Sequence, residues 1–276
     1  MDPLTAIGIV AFSVIAGLVG ALFGLGGGVI IIPALTLVFG VPMHLAIGAS
    51  LIAVIASSTG SATHYVERGL SNIRLAMVLE VATTLGAVVG ALIAVFLNQA
   101  LLAAAFGIVL VYAAYYMIRR SEEACVCPPQ PCGPLDLSCS YQDNADGKQV
   151  DYGVKSLSKG MAASAGAGGI SGLLGVGGGI IKVPVMNLWM GVPMRAACAT
   201  SNFMIGVTAL AGAIVHYSYG DVMPVLAGIV AIGVFAGASL GTRISDKVCG
   251  PNLKKAFAVV LALVAVLMFL QAAGVV

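Results

Sequence analysis

Apolar residues without charge dominate eight stretches of the chain, roughly Leu4 to Phe39, His44 to Val66, Leu75 to Leu97, Ala100 to Ile118, Met161 to Met190, Ala196 to Tyr217, Val222 to Gly241 and Ala256 to Val276. Several exceed the ~18 residues that mark a membrane-crossing helix. The pattern predicts an all-α integral membrane protein. Between Arg119 and Lys159 lies the one polar stretch, with Pro, Asp, Gly and four cysteines, and it separates two halves of four apolar segments each. The expected organisation is an N-terminal membrane repeat over residues 1–118, a cytoplasmic cysteine-containing linker over 119–159 and a C-terminal membrane repeat over 160–276.

The two halves are similar to each other. F-G-L-G-G-G, Phe23 to Gly28, recurs 151 positions later as L-G-V-G-G-G, Leu174 to Gly179. Each copy is followed at the same spacing by a proline (Pro33, Pro184) and a G-V-P-M turn (Gly40 to Met43, Gly191 to Met194). At this offset Ser50 matches Ser201, Ala105-Phe106 matches Ala256-Phe257 and Val109-Leu110 matches Val260-Leu261, while Gly86 and Gly90 correspond to Gly233 and Gly237 after a short gap. Shared membrane-helix composition produces chance matches, but not Pro and Gly at fixed positions, so duplication of the whole membrane part is the economical explanation. A glycine break inside an apolar segment, once per half, points to a midplane binding site in a transporter built from repeats.

Lys and Arg fix the orientation, because cytoplasmic loops carry an excess of them. Arg243, Lys247, Lys254 and Lys255 place the last loop inside, Arg119, Arg120, Lys155 and Lys159 place the linker inside, and Arg68 with Arg74 place their loop inside. Walking back from Arg243, Met161 to Met190 begins and ends inside, so it is not a single crossing. Its 30 residues with a central glycine break fit a re-entrant hairpin of half-helices or two short tilted spans. The same walk puts both ends of Leu4 to Phe39 outside. The expected fold is thus two inverted-topology repeats, each a glycine-broken helix hairpin plus three transmembrane helices; eight plain spans with parallel halves would put the Arg243 to Lys255 charges outside.

Composition narrows the function classes. With 60% hydrophobic and 9% charged residues the chain cannot clothe a soluble surface. A net charge of +2, without basic runs interleaved with aromatics, argues against a nucleic-acid partner. Met1-Asp2-Pro3 lacks a basic n-region, so the first apolar segment is expected to be retained.

Non-helical backbone at bilayer depth is tolerated only where protein or a water-filled cavity satisfies it. Gly26, Gly27 and Gly28, with Gly177, Gly178 and Gly179, are therefore expected to line a cavity, each run opening a half-helix whose free N–H groups and positive dipole end attract an anion. Close helix packing is the bland alternative, and it accounts for Gly86/Gly90 and Gly233/Gly237. The motif is not a Walker loop, since no Lys-Ser/Thr follows, and no strand precedes it as a dinucleotide site requires. Lys182, deep in an apolar segment and opposed to the helix dipole, is a functional candidate unless its long side chain snorkels inward. Its counterpart is Ile31, so the site is asymmetric. Ser50, Ser201 and Asn202 lie on the paired following segments, from which hydroxyls and amides suit sulfonate or carboxylate oxygens, or tie helices together. His64 and His216 end those segments, each followed by Tyr, as proton carriers or interfacial anchors. Glu80 is the carboxylate inside the core, with pairing to Arg74, a packing role or proton coupling as its options. Cys125, Cys127, Cys132 and Cys139 match no standard zinc spacing and leave a metal clip, a redox sensor and an incidental cluster open, with no cofactor implied; Cys198 and Cys249 support nothing.

The glycine-rich break near the start of each half, the G-V-P that follows and the short basic loops resemble the sulfite exporter TauE/SafE family of permeases. The resemblance covers both halves and not the cysteine linker. It implies a secondary transporter, in the direction of export, of small anions such as sulfite, sulfonates or sulfoacetate, usually driven by an ion gradient. The expected mechanism is alternating access across the cytoplasmic membrane, one repeat rocking against the other. The expected partners are the small anion and the lipid bilayer, with a homodimer left open. The alternatives from other classes are a membrane-embedded enzyme acting on an anionic lipid and a redox- or metal-responsive membrane sensor.

Overall fold

The computed structural model of the chain describes residues 3–119, 137, 139–142, 149–248 and 251–273. Its helices are α1 (Pro3–Phe23), α2 (Gly28–Pro33) continued by a π-helical turn (Ala34–Val38), α3 (Met43–Glu67), α4 (Ile73–Phe96), α5 (Gln99–Arg119), α6 (Leu157–Leu174), α7 (Gly179–Leu188), α8 (Met194–Ser218), α9 (Pro224–Val248) and α10 (Pro251–Ala272). Among the described residues six helices are long and apolar enough to cross a membrane: α1, α3, α4, α5, α8 and α9. The linker adds a two-stranded antiparallel hairpin, β1 (Cys139–Gln142) and β2 (Gln149–Tyr152), which the apolar pattern did not predict.

Local chemistry sets the breaks. α1 and α6 end where Gly24, Gly26 and Gly27, and their counterparts Gly175, Gly177 and Gly178, adopt φ between 71° and 79°, a region closed to most side chains. Pro42 and Pro193 precede α3 and α8 with matching extended ψ of 141° and 143°, so both G-V-P-M turns fold alike. Asn72 caps α4 by accepting the Leu75 N–H at 3.0 Å.

After each break the chain doubles back. Gly27 packs on Ala16, and Phe39 reaches Gly8 and stacks edge-on against Phe12 with ring centroids 6.0 Å apart, so α2 and its π-turn return alongside α1. α7 likewise returns along α6, from Gly178 on Ala167 and Ser171 to Met190 on Gly160.

The hairpins are exchanged between halves. α1 lies on α9 through Gly233, Gly237 and Gly241, and α6 lies on α4 through Gly86, Gly90, Gly168 and Gly172, each contact so close that a Cβ would strike facing backbone. α1 and α9 run parallel, since Val14 meets Gly237 and Leu18 meets Gly241; α6 and α4 run parallel, since Gly168 meets Thr83 and Gly172 meets Ala87. α3 and α8 run antiparallel, with Ser58 beside Asn202 and Leu51 beside Gly212. α5 pairs with α10. The principal apolar core gathers around the glycine breaks, including Leu25, Val29, Val54, Val176, Ile180 and Ile205, while large apolar side chains such as Leu85, Phe96, Val225 and Ile232 stay exposed toward the lipid. The linker is seated on the membrane part: Leu137, Tyr141, Tyr152 and Val154 bury against Leu75 and Val192, and Asn72 Nδ2 donates to the Leu137 carbonyl at 2.9 Å.

Candidate functional site

The two glycine breaks meet tip to tip. Carbonyls at the end of an α-helix have no intrahelical partner, so Gly24 and Gly175 need donors from elsewhere. Each receives one from the other half: Ser50 Oγ donates to the Gly175 carbonyl at 2.8 Å, and Ser201 Oγ donates to the Gly24 carbonyl at 3.1 Å. Both serines are fully buried. Gly26 and Gly177 each rest against the same two side chains, Val54 and Ile205. Gly28 abuts Gly175 and Val176, and Gly179 abuts Gly24 and Leu25, with no room for a Cβ at either. The first turns of α2 and α7 then begin, with Ile31 N–H on the Gly27 carbonyl at 3.2 Å and Lys182 N–H on the Gly178 carbonyl at 3.0 Å.

Of the six glycines singled out from the sequence, Gly26, Gly28, Gly177 and Gly179 line the meeting of the tips, while Gly27 and Gly178 face back onto α1 and α6 of their own hairpins. Ser50 and Ser201 reach the same place, but their hydroxyl protons are given to backbone rather than left for a ligand, so they position the tips. Asn202 binds there too: Nδ2 donates to the Ala21 carbonyl at 3.1 Å, its backbone oxygen accepts from Ser58 Oγ at 2.6 Å, and its buried Oδ1 has no hydrogen bond. The roles of Val54 and Ile205 were not foreseen; their equivalence at the 151-residue offset is the signal that would have found them.

Lys182 does not snorkel. It is 1% exposed, and its ammonium donates to Thr208 Oγ1 at 2.6 Å and stands 3.6 Å from Glu80 Oε2. Thr208 in turn donates to Glu80 Oε1 at 2.6 Å, and Thr84 adds a bond to the same oxygen at 3.3 Å. Glu80 therefore faces Lys182 rather than Arg74, whose pairing was one of the options read from the sequence beside packing and proton coupling. The reason is tertiary: α4 packs on both α6 and α8, which turns Glu80 toward the first turn of α7. The cost that made a lone buried lysine improbable is met by a carboxylate.

His216 also departs from expectation. It is wholly buried rather than anchored at an interface, with Nδ1 3.2 Å from Asp221 Oδ2 and Nε2 3.2 Å from the Gly172 carbonyl on α6. His64 is half-buried beside Tyr65, their rings 6.4 Å apart. Cys125, Cys127 and Cys132 lie outside the described residues, and Cys139 is a half-buried free thiol on β1. Among the described residues no group of three His, Cys, Asp or Glu side chains is placed to hold a metal ion.

Comparison with known proteins places the chain among membrane transporters. The sequence profile of the family described as Sulfite exporter TauE/SafE matches residues 9–268. The chain is 27% identical over 263 residues to the probable membrane transporter protein YunE of Bacillus subtilis, covering 93% of this chain and 94% of that one. It is 26% identical over 271 residues to a probable membrane transporter protein of Methanocaldococcus jannaschii, covering 93% and 92%. A probable membrane transporter protein of Haemophilus influenzae is 27% identical over 279 residues, covering 93% and 95%. No solved structure matches the chain.

Proposed function

Because the chain belongs to the sulfite exporter TauE/SafE family, we propose that it exports small anions such as sulfite or organosulfonates across the cytoplasmic membrane, as a secondary transporter working by alternating access. It is a multi-pass membrane transporter of the cell membrane rather than an enzyme. The observation that carries the finer proposal is the meeting of two glycine hairpin tips, each held by a serine of the opposite half. The opposed course of α3 and α8, which are equivalent in the repeat, supports an inverted-topology arrangement in which the hairpins enter from opposite membrane faces. Each tip opens a helix, α2 at Gly28 and α7 at Gly179, whose first N–H groups and positive end favour an anion. The tips touch here, so a substrate reaches them when the halves part. Gly26 to Gly28, Gly177 to Gly179 and Lys182 supply the binding surface, Ser50, Ser201 and Asn202 hold it in shape, and His64, His216 and Glu80 are the titratable groups available for gating.

Uptake of radiolabelled sulfite and taurine-type sulfonates into proteoliposomes tests the function. For the site, Lys182→Met keeps the apolar stem and removes the charge. Loss of a charged hydrogen bond of ~1.5–3 kcal/mol should weaken anion binding roughly 10- to 150-fold by calorimetry. Gly178→Val, at a φ of 74°, should abolish the tip geometry. Unchanged anion affinity in both folded variants refutes the site.

A further inference from the structure

Lys182 and Glu80 form a closed charge pair in the middle of the fold, but not a fully bonded one. Thr208 Oγ1 accepts a hydrogen bond from the ammonium and donates its own hydroxyl to Oε1, while Glu80 Oε2 stands 3.6 Å from Nζ and receives no hydrogen bond although it is buried. The pair also adjoins the glycine tips. Lys182 is in the first turn of α7, bonded through its backbone to Gly178, and Thr208 is one turn along α8 from Ile205, on which Gly177 packs.

Resting on the transporter function above, we propose that Glu80 is the proton site that couples anion movement: its carboxylate and the substrate anion compete for the Lys182 ammonium, and a proton on Glu80 releases Lys182 to the anion. The proton comes from water on the side to which the site is open and forms an O–H bond at Oε2. The ammonium keeps its three protons and exchanges one anionic partner for another. Before the exchange the cluster holds one positive and one negative charge; afterwards it holds the ammonium, a neutral carboxylic acid and a monoanion. Both states are neutral, so both can be enclosed. An anion beside an ionised Glu80 would leave an uncompensated charge in a core of low dielectric, which is costly. Proton and monoanion therefore travel together, one for one, outward when the anion gradient exceeds the opposing proton gradient. Thr208 is not orphaned by the change, since the Met204 carbonyl lies 3.2 Å from its hydroxyl.

Other titratable side chains on the surrounding helices stand away from the pair. Arg74 is six residues from Glu80 on α4, and Lys159 is nine residues before Gly168, the α6 residue that packs on Thr83. Arg195, Cys198, His216 and Tyr217 on α8 are at least eight residues from Thr208, and α7 carries no second titratable group.

The test uses two alkanesulfonates that stay monoanionic throughout, methanesulfonate and isethionate. Calorimetry on the intact protein, in buffers of different ionisation enthalpy, should show one proton taken up per anion bound. With a proton bound along with each anion, affinity should fall as the pH rises. Glu80→Asp should retain that dependence, and Glu80→Gln, which leaves the buried Lys182 without its carboxylate, should shift the pH range over which a proton is taken up. In liposomes with an entrapped pH dye, an anion gradient should drive protons in the same direction. Anion binding without proton uptake in the wild type, or uptake over an unchanged pH range in folded Glu80→Gln, overturns the coupling and leaves the transporter function standing. No binding of these anions, sulfite or taurine at any pH, by protein with intact helical circular dichroism, overturns the transporter function and the coupling with it.

Discussion

Substituting Gly28 with Ala tests whether the tips are truly locked against each other. Gly28 does not occupy the left-handed region, so an alanine backbone is unstrained there and only the added methyl matters. That methyl would lie 2.7 Å from the Gly175 carbonyl oxygen and 2.7 Å from Ser50 Oγ, against 3.4 Å for ordinary contact, so the tips must part by about 0.7 Å. Both obstacles belong to packed elements, one of them backbone, and overpacking of this kind costs about 1–3 kcal/mol. Gly166→Ala is the matched control: it lies on α6, with nothing within 4 Å of the new methyl, and helix propensity alone should stabilise it by up to ~1 kcal/mol. Ser50→Ala should cost about 1 kcal/mol by removing the bond to Gly175. Because it also removes one obstacle, the double variant Gly28→Ala/Ser50→Ala should be less destabilised than the sum, with a coupling of at least ~0.5 kcal/mol. Denaturant titration in detergent, followed by far-ultraviolet circular dichroism, gives all four values. Gly28→Ala as stable as Gly166→Ala, or strict additivity in the double variant, would show that the tips are not locked in the way described.

Three further outcomes are expected. In a variant without native cysteines, single cysteines at Gly40 and Asp221 should react with an impermeant thiol reagent from outside and one at Gly191 only from inside; labelling of Gly191 from outside in intact cells sinks the inverted arrangement. Replacing Cys125, Cys127, Cys132 and Cys139 together with serine should leave anion affinity unchanged, and a many-fold loss in folded protein would bring the linker into the site. His216→Phe removes the ring nitrogens that face Asp221 and the Gly172 carbonyl, so it should lower stability by about 1–3 kcal/mol in the same denaturant titration, and a change within error would mean these contacts carry no weight.

Features that act locally were legible in the sequence. Glycine runs and the G-V-P-M turns fix their own backbone, so the breaks after Phe23 and Leu174 and the starts of α3 and α8 fall where the residues put them. Partnership was not legible. In a membrane both the buried and the lipid-facing sides of a helix are apolar, so periodicity does not mark which face meets which neighbour. Nothing near Glu80 names Lys182 as its partner, and nothing near Ser50 names Gly175, because these contacts join elements 102 and 125 residues apart. The π-turn after Pro33 was equally hidden: Pro184 occupies the same place in α7 without one. The linker strands escaped because four-residue strands in a polar stretch carry no apolar period.

The seating of α1 on α9 has a consequence for synthesis. Val14 and its contact Gly237 are separated by more than 200 residues of chain. At about 5–20 residues per second, the first helix leaves the ribosome roughly 10 to 40 s before the surface it docks on exists. Until then its Gly17 notch, which receives Val234 of α9, faces lipid or whatever insertion factor shields it, and the nascent first half has no native hairpin contact on that side. Quality-control proteases that sample membrane segments during this interval would see an unfinished protein, so chains stalled before α9 should be cleared while full-length chains persist.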